Sequence, residues 1–241
     1  MKITGKTDKG IQRNTNQDNL LYKELFDGIS LTIVCDGMGG AKGGLTASTI
    51  AVNEISGYII KNFHKSLNDN EIEKLIIDAV NASNKCIFEK AKNNEFLSGM
   101  GTTAVCALNL PDKSYIGSVG DSRAYKISGN DITQITKDHS FVQEMVDMGQ
   151  LSENEAKDHP KKNIITRAIG VEDEIKTDFF IEKFGPGDKL IICSDGLSNM
   201  VSDNKIMEIV NEDFDNCCDN LIMEANSNGG LDNITITAVM F

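Results

Sequence analysis

Nothing in this sequence is set up to hold nucleic acid. Lysine and arginine number 24 against 36 aspartates and glutamates, a formal net charge of −12, and the nearest approach to a basic cluster is the pair Lys161-Lys162. A chain that binds phosphate backbones needs a Lys/Arg-rich face, so that class of partner is excluded. Long apolar runs are missing too. None approaches the ~20 residues of a membrane span, and the stretch from Met1 to Asn19 is polar, unlike a signal peptide. The expectation is a cytoplasmic protein with no membrane partner. Cysteine occurs six times (35, 86, 106, 193, 217, 218), without a C-x-x-C pair and mostly inside apolar runs. That pattern reads as buried reduced thiols rather than disulfides. Histidine is scarce, at 64, 139 and 159, with no cysteine at ligand spacing, which argues against zinc. There are three prolines and no Gly/Ser tract, so no linker is visible and residues 1–241 read as one domain.

What the chain does contain is a series of short β-type runs, at 30–36, 102–110, 113–121, 122–128, 131–136, 177–184, 189–194 and 233–241. The last alternates at Ile234, Ile236, Ala238 and Met240. "SGND" (128–131) between two of them reads as a hairpin turn. Long helices are expected over 44–63 and 69–93, the second with Ile72, Leu75, Ile76, Ala79, Val80, Ile87 and Ala91 on one stripe. A shorter helix over 141–149 precedes "SENE" (152–155), a capping-box pattern for the next turn. The segment after Asp195 is helical, and a final helix over 215–227 ends at Gly229-Gly230. Hairpin-linked strands with helices in separate blocks indicate an α+β fold of antiparallel sheets with outer helices.

Two apolar runs stop at an acid: "LTIVCDGMGG" (31–40) at Asp36 and "IICSDGLSNM" (191–200) at Asp195. Asp-Gly is a common tight-turn dipeptide, but a hairpin needs a second strand directly after it, and both segments run on into helix. Asp121 in "SVGDSR" ends a third run, and Asp232 in "GGLDNIT" opens a fourth. The glycine-rich "GMGGAKGG" has the wrong spacing for a dinucleotide fingerprint and lacks the G-K-[ST] of a P-loop. "ICSDG" is no nucleophile elbow. Aspartates without Cys or His make a hard, oxygen-only donor set suited to Mg²⁺ or Mn²⁺. Two such ions about 4 Å apart can bridge one water and aim it at phosphorus. Gly37 can add a carbonyl, since glycine lets the main chain approach closely.

With these motifs assembled, the chain resembles the type 2C metal-dependent protein phosphatases in their bacterial single-domain form. The resemblance rests on "RNTNQD" (13–18), "CDGMGG" (35–40), "GMGTTAV" (99–105), "VGDSRAY" (119–125), the stretch 135–170, "GDKLIICSDGLSNMVSD" (187–203) and "GGLDNIT" (229–235), in that order. It implies a β-sandwich of two antiparallel sheets flanked by helix pairs, with a metal centre at one end and a flap at about 137–170. It implies that Asp36 bridges two Mn²⁺ or Mg²⁺ ions, that Asp195 and Asp232 hold the first, and that the Gly37 carbonyl holds the second. Asp121 would be the main ligand of a weaker third ion, Asp18 would orient waters on the metals, and Arg13 would grip the substrate phosphate. The activity implied is hydrolysis of phosphoserine and phosphothreonine in proteins by a monomer, opposing a Ser/Thr kinase. A catalytically inactive phosphoprotein-binding module of the same fold is the alternative, and a phosphatase dedicated to an anti-sigma antagonist is a third reading. Such dead modules usually lose metal acids, and here all four are present. Two departures concern the proton donor: Met38 stands where animal and plant relatives carry histidine, and Ala41 and Leu45 stand where many bacterial relatives carry histidine and an acid.

Overall fold

The structure, a computed structural model, describes residues 1–157 and 159–241; the side chains of Ala41 and Lys157 also lie outside the described set, so nothing further concerns the Ala41 position. The β-forming runs build two five-stranded antiparallel sheets. One runs in the order β1 (Lys2–Asp8), β12 (Ile234–Met240), β11 (Lys189–Cys193), β8 (Arg123–Ser128), β9 (Asp131–Gln134). The other runs β10 (Asp178–Lys183), β7 (Lys113–Val119), β6 (Ala104–Leu110), β3 (Ile29–Cys35), β2 (Asn19–Phe26). A two-residue pair, β4 (Gly37–Met38) with β5 (Gly101–Thr102), sits beyond the end of β3.

Alternation along each strand sorts its side chains between two environments. Val34, Val105 and Ile116 from one sheet meet Leu190, Ile192 and Val239 from the other, which makes the layers a sandwich. The opposite face of the second sheet carries Leu31, Ile33, Cys106 and Leu108 against Ile55 and Ile59 of α1 (Gly40–Asn62) and Ile76 of α2 (Asp69–Lys92). The opposite face of the first carries Ile191, Ile236 and Ala238 against Ile206 and Val210 of α6 (Asp203–Glu212) and Leu221 of α7 (Cys217–Ser227). Each large aliphatic side chain fully buried this way contributes about 1.5–3 kcal/mol. The architecture is the expected α-β-β-α stack. Short helices α3 (Phe141–Asp147), α4 (Glu153–Lys157) and α5 (Asp195–Ser198) complete the set.

The "SENE" box forms as the sequence indicates: Ser152 N–H donates to Glu155 Oε2 at 2.8 Å, and Glu155 N–H to Ser152 Oγ at 3.3 Å. Besides the two-residue β4, two strands, β1 and β2, were not among the expected runs. They form one edge of each sheet and are exposed or half-buried along their length, so neither shows the apolar alternation of a central strand. All six cysteines are free thiols, five of them buried, and burial pushes Cys106 and Cys193 up to about 12, which keeps them unreactive. Among the described residues no helix is long and apolar enough to cross a membrane.

Candidate metal centre

The antiparallel order decides where the acids go. β3 and β7 both pair with β6 and so run in the same direction, bringing their C-terminal ends, and thus Asp36 and Asp121, to one end of the sandwich. β2 pairs antiparallel to β3, so Asp18, just before β2, arrives at that same end. In the other sheet β11 and β12 are antiparallel neighbours, which sets Asp195 after the one beside Asp232 before the other. Five acids from distant parts of the chain therefore gather at one end of the sandwich, close enough to repel one another.

Asp36 is held by its backbone and Asp18 by its side chain. Asp36 N–H donates to Thr103 Oγ1 at 3.0 Å, and the Asp36 carbonyl accepts from Thr103 N–H and Thr102 Oγ1, both at 2.8 Å. Thr103 Oγ1 lies 2.7 Å from Ser122 Oγ, which links the Asp36 turn to the Asp121 turn. Asp18 Oδ2 accepts from Ser194 Oγ at 2.8 Å, and Ser194 Oγ in turn accepts from Thr235 N–H at 3.0 Å. At Gly37 a side chain is ruled out by space: a Cβ would overlap the Gly44 carbonyl of α1 and stand 2.5 Å from the Gln17 carbonyl oxygen.

The electrostatics record the crowding. Burial pushes the Asp36 carboxyl well above the usual range, helped by repulsion from Asp18, Asp195, Asp121 and Asp232. Burial raises Asp18 to about 7, opposed by hydrogen bonds from Thr235 and Ser194 and reinforced by Asp195 and Asp232. Burial, then the charges of Asp195 and Asp138, lifts Asp121 to about 7. Asp195 rises through burial and Asp232, partly offset by a hydrogen bond with Asp36. Groups that titrate together in this way share protons as a set.

Whether such a set fits a divalent cation can be judged from its unpaired atoms. Oδ1 of Asp18 and Oδ1 of Asp195 are buried with no N–H or hydroxyl donor among the described residues. Buried carboxylate oxygens normally find donors, and a bound ion is one of the partners that satisfies those that do not. Every donor atom is a hard oxygen, as Mn²⁺ and Mg²⁺ require. Among the described residues no three His, Cys, Asp or Glu side chains close on one point as a ready-made cage. Mutual repulsion opposes that closure, and a cation is the species that offsets it. The residues fit the group.

Arg13 reaches the rim of the cleft by way of Asp232: its Nη2 donates to Asp232 Oδ2 at 2.6 Å and its Nε to the Leu231 carbonyl at 3.4 Å. Asp232 Oδ1 accepts from Asn233 N–H at 2.8 Å. Met38 is half-buried in β4, its Cε against Gly101. Of the histidines, His64 is exposed, and Nδ1 of His159 accepts from Lys161 N–H at 3.1 Å. His139 is buried and hydrogen-bonded through its ring.

Two asparagines matter here that the sequence did not single out. Asn233 donates to the Lys9 and Thr15 carbonyls at 2.8 and 3.0 Å and accepts from Gln17 N–H at 2.9 Å, pinning the loop that carries Arg13 and Asp18 onto the start of β12. Asn84 on α2 accepts from Gly170 N–H at 2.6 Å and donates to the Glu172 and Asp173 carbonyls, holding the chain where the 137–170 segment returns. Each sits beside a signal that was visible, a "DN" after the glycines and a polar position on an apolar stripe.

Comparison with known proteins shows the family and the fold. The family model described as Protein phosphatase 2C matches residues 9–229. The serine/threonine phosphatase stp of Listeria monocytogenes is 39% identical over 236 residues, spanning 97% of this chain and 93% of that protein. The solved structure of serine/threonine phosphatase Stp1 from Staphylococcus aureus superimposes with a TM-score of 0.93 at 34% identity, over 99% of this chain and 94% of that one. The catalytic domain of the serine threonine protein phosphatase PstP, solved in complex with two manganese ions, superimposes with a TM-score of 0.84 at 28% identity, over 98% and 96%.

Proposed function

This chain belongs to the protein phosphatase 2C family, and we propose that the acids at the end of its sandwich are the machinery with which it, a metal-dependent protein-serine/threonine phosphatase, dephosphorylates phosphoproteins. The observation that carries this is the convergence of Asp18, Asp36, Asp121, Asp195 and Asp232 from five separate segments into mutual charge repulsion. Asp36, Asp195 and Asp232 with the Gly37 carbonyl would hold two Mn²⁺ or Mg²⁺ ions, and Asp121 a weaker third. Bound there, the ions supply Lewis acidity to activate water and to polarise a phosphoryl oxygen.

The protein's own groups do the rest. Asp18, gripped by Ser194, holds its carboxyl at a fixed angle beside the ligands, where it would orient metal-bound waters. Arg13 presents a guanidinium to the substrate phosphate, and its pairing with Asp232 keeps it on station at the rim. Expelling a serine alkoxide calls for a proton at the leaving oxygen. Met38 cannot supply it, and His139 is buried with its ring engaged, so neither of them serves as the donor. We take residues 1–241 as one catalytic domain with 137–170 as a flap, acting as a cytoplasmic monomer against a Ser/Thr kinase; the unpaired cysteines support the reducing compartment.

The test is hydrolysis of p-nitrophenyl phosphate and of a phosphothreonine peptide, with Mn²⁺ and with chelator. Turnover that requires Mn²⁺ on both substrates is expected; undiminished turnover in EDTA overturns the metal assignment.

A further inference from the structure

His139 is a buried, anchored polar side chain beside the acid cluster. It is 7% exposed. Its Nδ1 accepts the Gly120 N–H at 2.9 Å, so Nδ1 carries no proton and the neutral ring bears its hydrogen on Nε2. That Nε2 lies 3.2 Å from Asp178 Oδ2 and 2.9 Å from Arg167 Nη1, whose own hydrogens are directed to Asp178 Oδ1 at 2.8 Å and the Lys176 carbonyl at 3.1 Å. Burial lowers the pKa of His139, which favours this neutral form. The main chain repeats the attachment: His139 N–H donates to the Gly120 carbonyl at 2.9 Å, and Thr166 N–H donates to the His139 carbonyl at 2.8 Å.

Gly120 is the residue before Asp121, and its φ of +102° lies where a side chain is strained. A Cβ there would also press into Thr103. The turn carrying Asp121 is thus held from one side by Thr103 and Ser122, which reach Asp36, and from the other by His139. Asp178 and Arg167 fix the ring, the ring fixes the turn, and the turn aims the acid.

We propose that His139 is a positioning residue for Asp121, accepting the Gly120 N–H through Nδ1 and so setting the approach of the Asp121 carboxylate while tying it to the root of the 137–170 segment. The proposal rests on the reading of Asp121 as the ligand of a weak third ion. Groups one step behind a ligand typically change metal affinity 10–100-fold when replaced.

Asparagine and glutamine separate the two ends of the ring, since Asn Oδ1 falls near Nδ1 whereas the Gln amide reaches toward Nε2. In calorimetric Mn²⁺ titrations of the full chain, His139→Gln should weaken the low-affinity step by ~10–100-fold, with the tight step unchanged. His139→Asn, which keeps an acceptor for Gly120, should restore most of that loss at comparable thermal stability. Nitrogen NMR of the wild type should show His139 protonated on Nε2 only, with the Gly120 amide protected from exchange. Equal losses in the Asn and Gln variants, or a proton on Nδ1, overturn the proposal. Should Asp121→Ala leave the weak step intact, the ligand assignment of Asp121 fails instead, and the proposal's role for His139 in metal binding falls with it. The Gly120 amide would still report whether the hydrogen bond itself exists.

Discussion

Asp18→Asn should make the metal-free protein more stable at neutral pH and above. The folded carboxyl is raised from 3.8 to about 7, chiefly by burial. A gap of about three units corresponds to ~4 kcal/mol. The sign follows from proton counting. Below pH 4 both folded and unfolded chains carry the proton and nothing is lost. Between 3.8 and about 7 the unfolded chain has released it while the folded chain keeps it, so stability falls by ~1.4 kcal/mol per pH unit. Above about 7 the penalty is complete. Asparagine has the same shape, no charge, and an oxygen that accepts the Ser194 hydroxyl. Urea denaturation in EDTA should therefore find the variant more stable by ~2–4 kcal/mol near pH 8, with the difference roughly halved near pH 5.5. Saturating Mn²⁺ should erase the advantage, because ions that bind only the folded state stabilise the wild type in proportion to their occupancy. A variant less stable than wild type near pH 8, or a difference flat across pH, would show that the hydrogen bonds from Ser194 and Thr235 outweigh burial, and the reasoning would fail.

Asp36→Asn should abolish Mn²⁺-dependent turnover, a loss of more than ~100-fold and so beyond the range of groups behind the ligands, while circular dichroism shows the fold intact. Arg13→Ala should raise KM by ~10–100-fold, the worth of a charge-assisted hydrogen bond, with a smaller effect on kcat; a pure kcat loss in steady-state assays would place Arg13 in the transition state alone. Gly37→Ala should lose ~1–3 kcal/mol in denaturant titrations, because the added methyl meets the backbone of Gly44 and Gln17, neither of which can swing aside. Replacing His64 and His159 together by Gln should leave phosphopeptide turnover within about tenfold of wild type, less than removal of a general acid costs; a drop of several hundredfold confined to phosphopeptide, with p-nitrophenyl phosphate spared, would make one of them the proton donor.

Asp36 and Asp195 were legible because each broke a local rule, whereas Asp18 came only with the family resemblance. Asp36 and Asp195 end apolar runs where a hairpin turn would need a following strand; the structure puts helix directly after Asp195, and after Asp36 only the two-residue β4, paired with β5 and not β3, before α1 begins. The central strands were equally plain, since β3, β6 and β11 are buried on both faces. What could not be read is whatever depends on a partner far along the chain. Asn233 is ordinary until its contacts with Lys9 and Thr15 are known. β1 and β2 have strand form only because β12 and β3 lie beside them. The engagement of Arg13 with Asp232 is likewise invisible in sequence, being an ion pair across 219 positions.

β12 has one further consequence, in the order of events during synthesis. It lies between β1 and β11, pairing Lys2 with Met240 on one side and Cys193 with Ile236 on the other. Until it emerges from the ribosome, the first strand made has no neighbour in its own sheet. Asp232 and Asn233, which complete the acid cluster and pin the Arg13 loop, arrive just ahead of it. Closing so long a loop is slow and comes late. A nascent chain can therefore bury its α1–α2 half early, while the acid cluster still lacks Asp232 and the Arg13 loop still lacks its pin until this strand is in place.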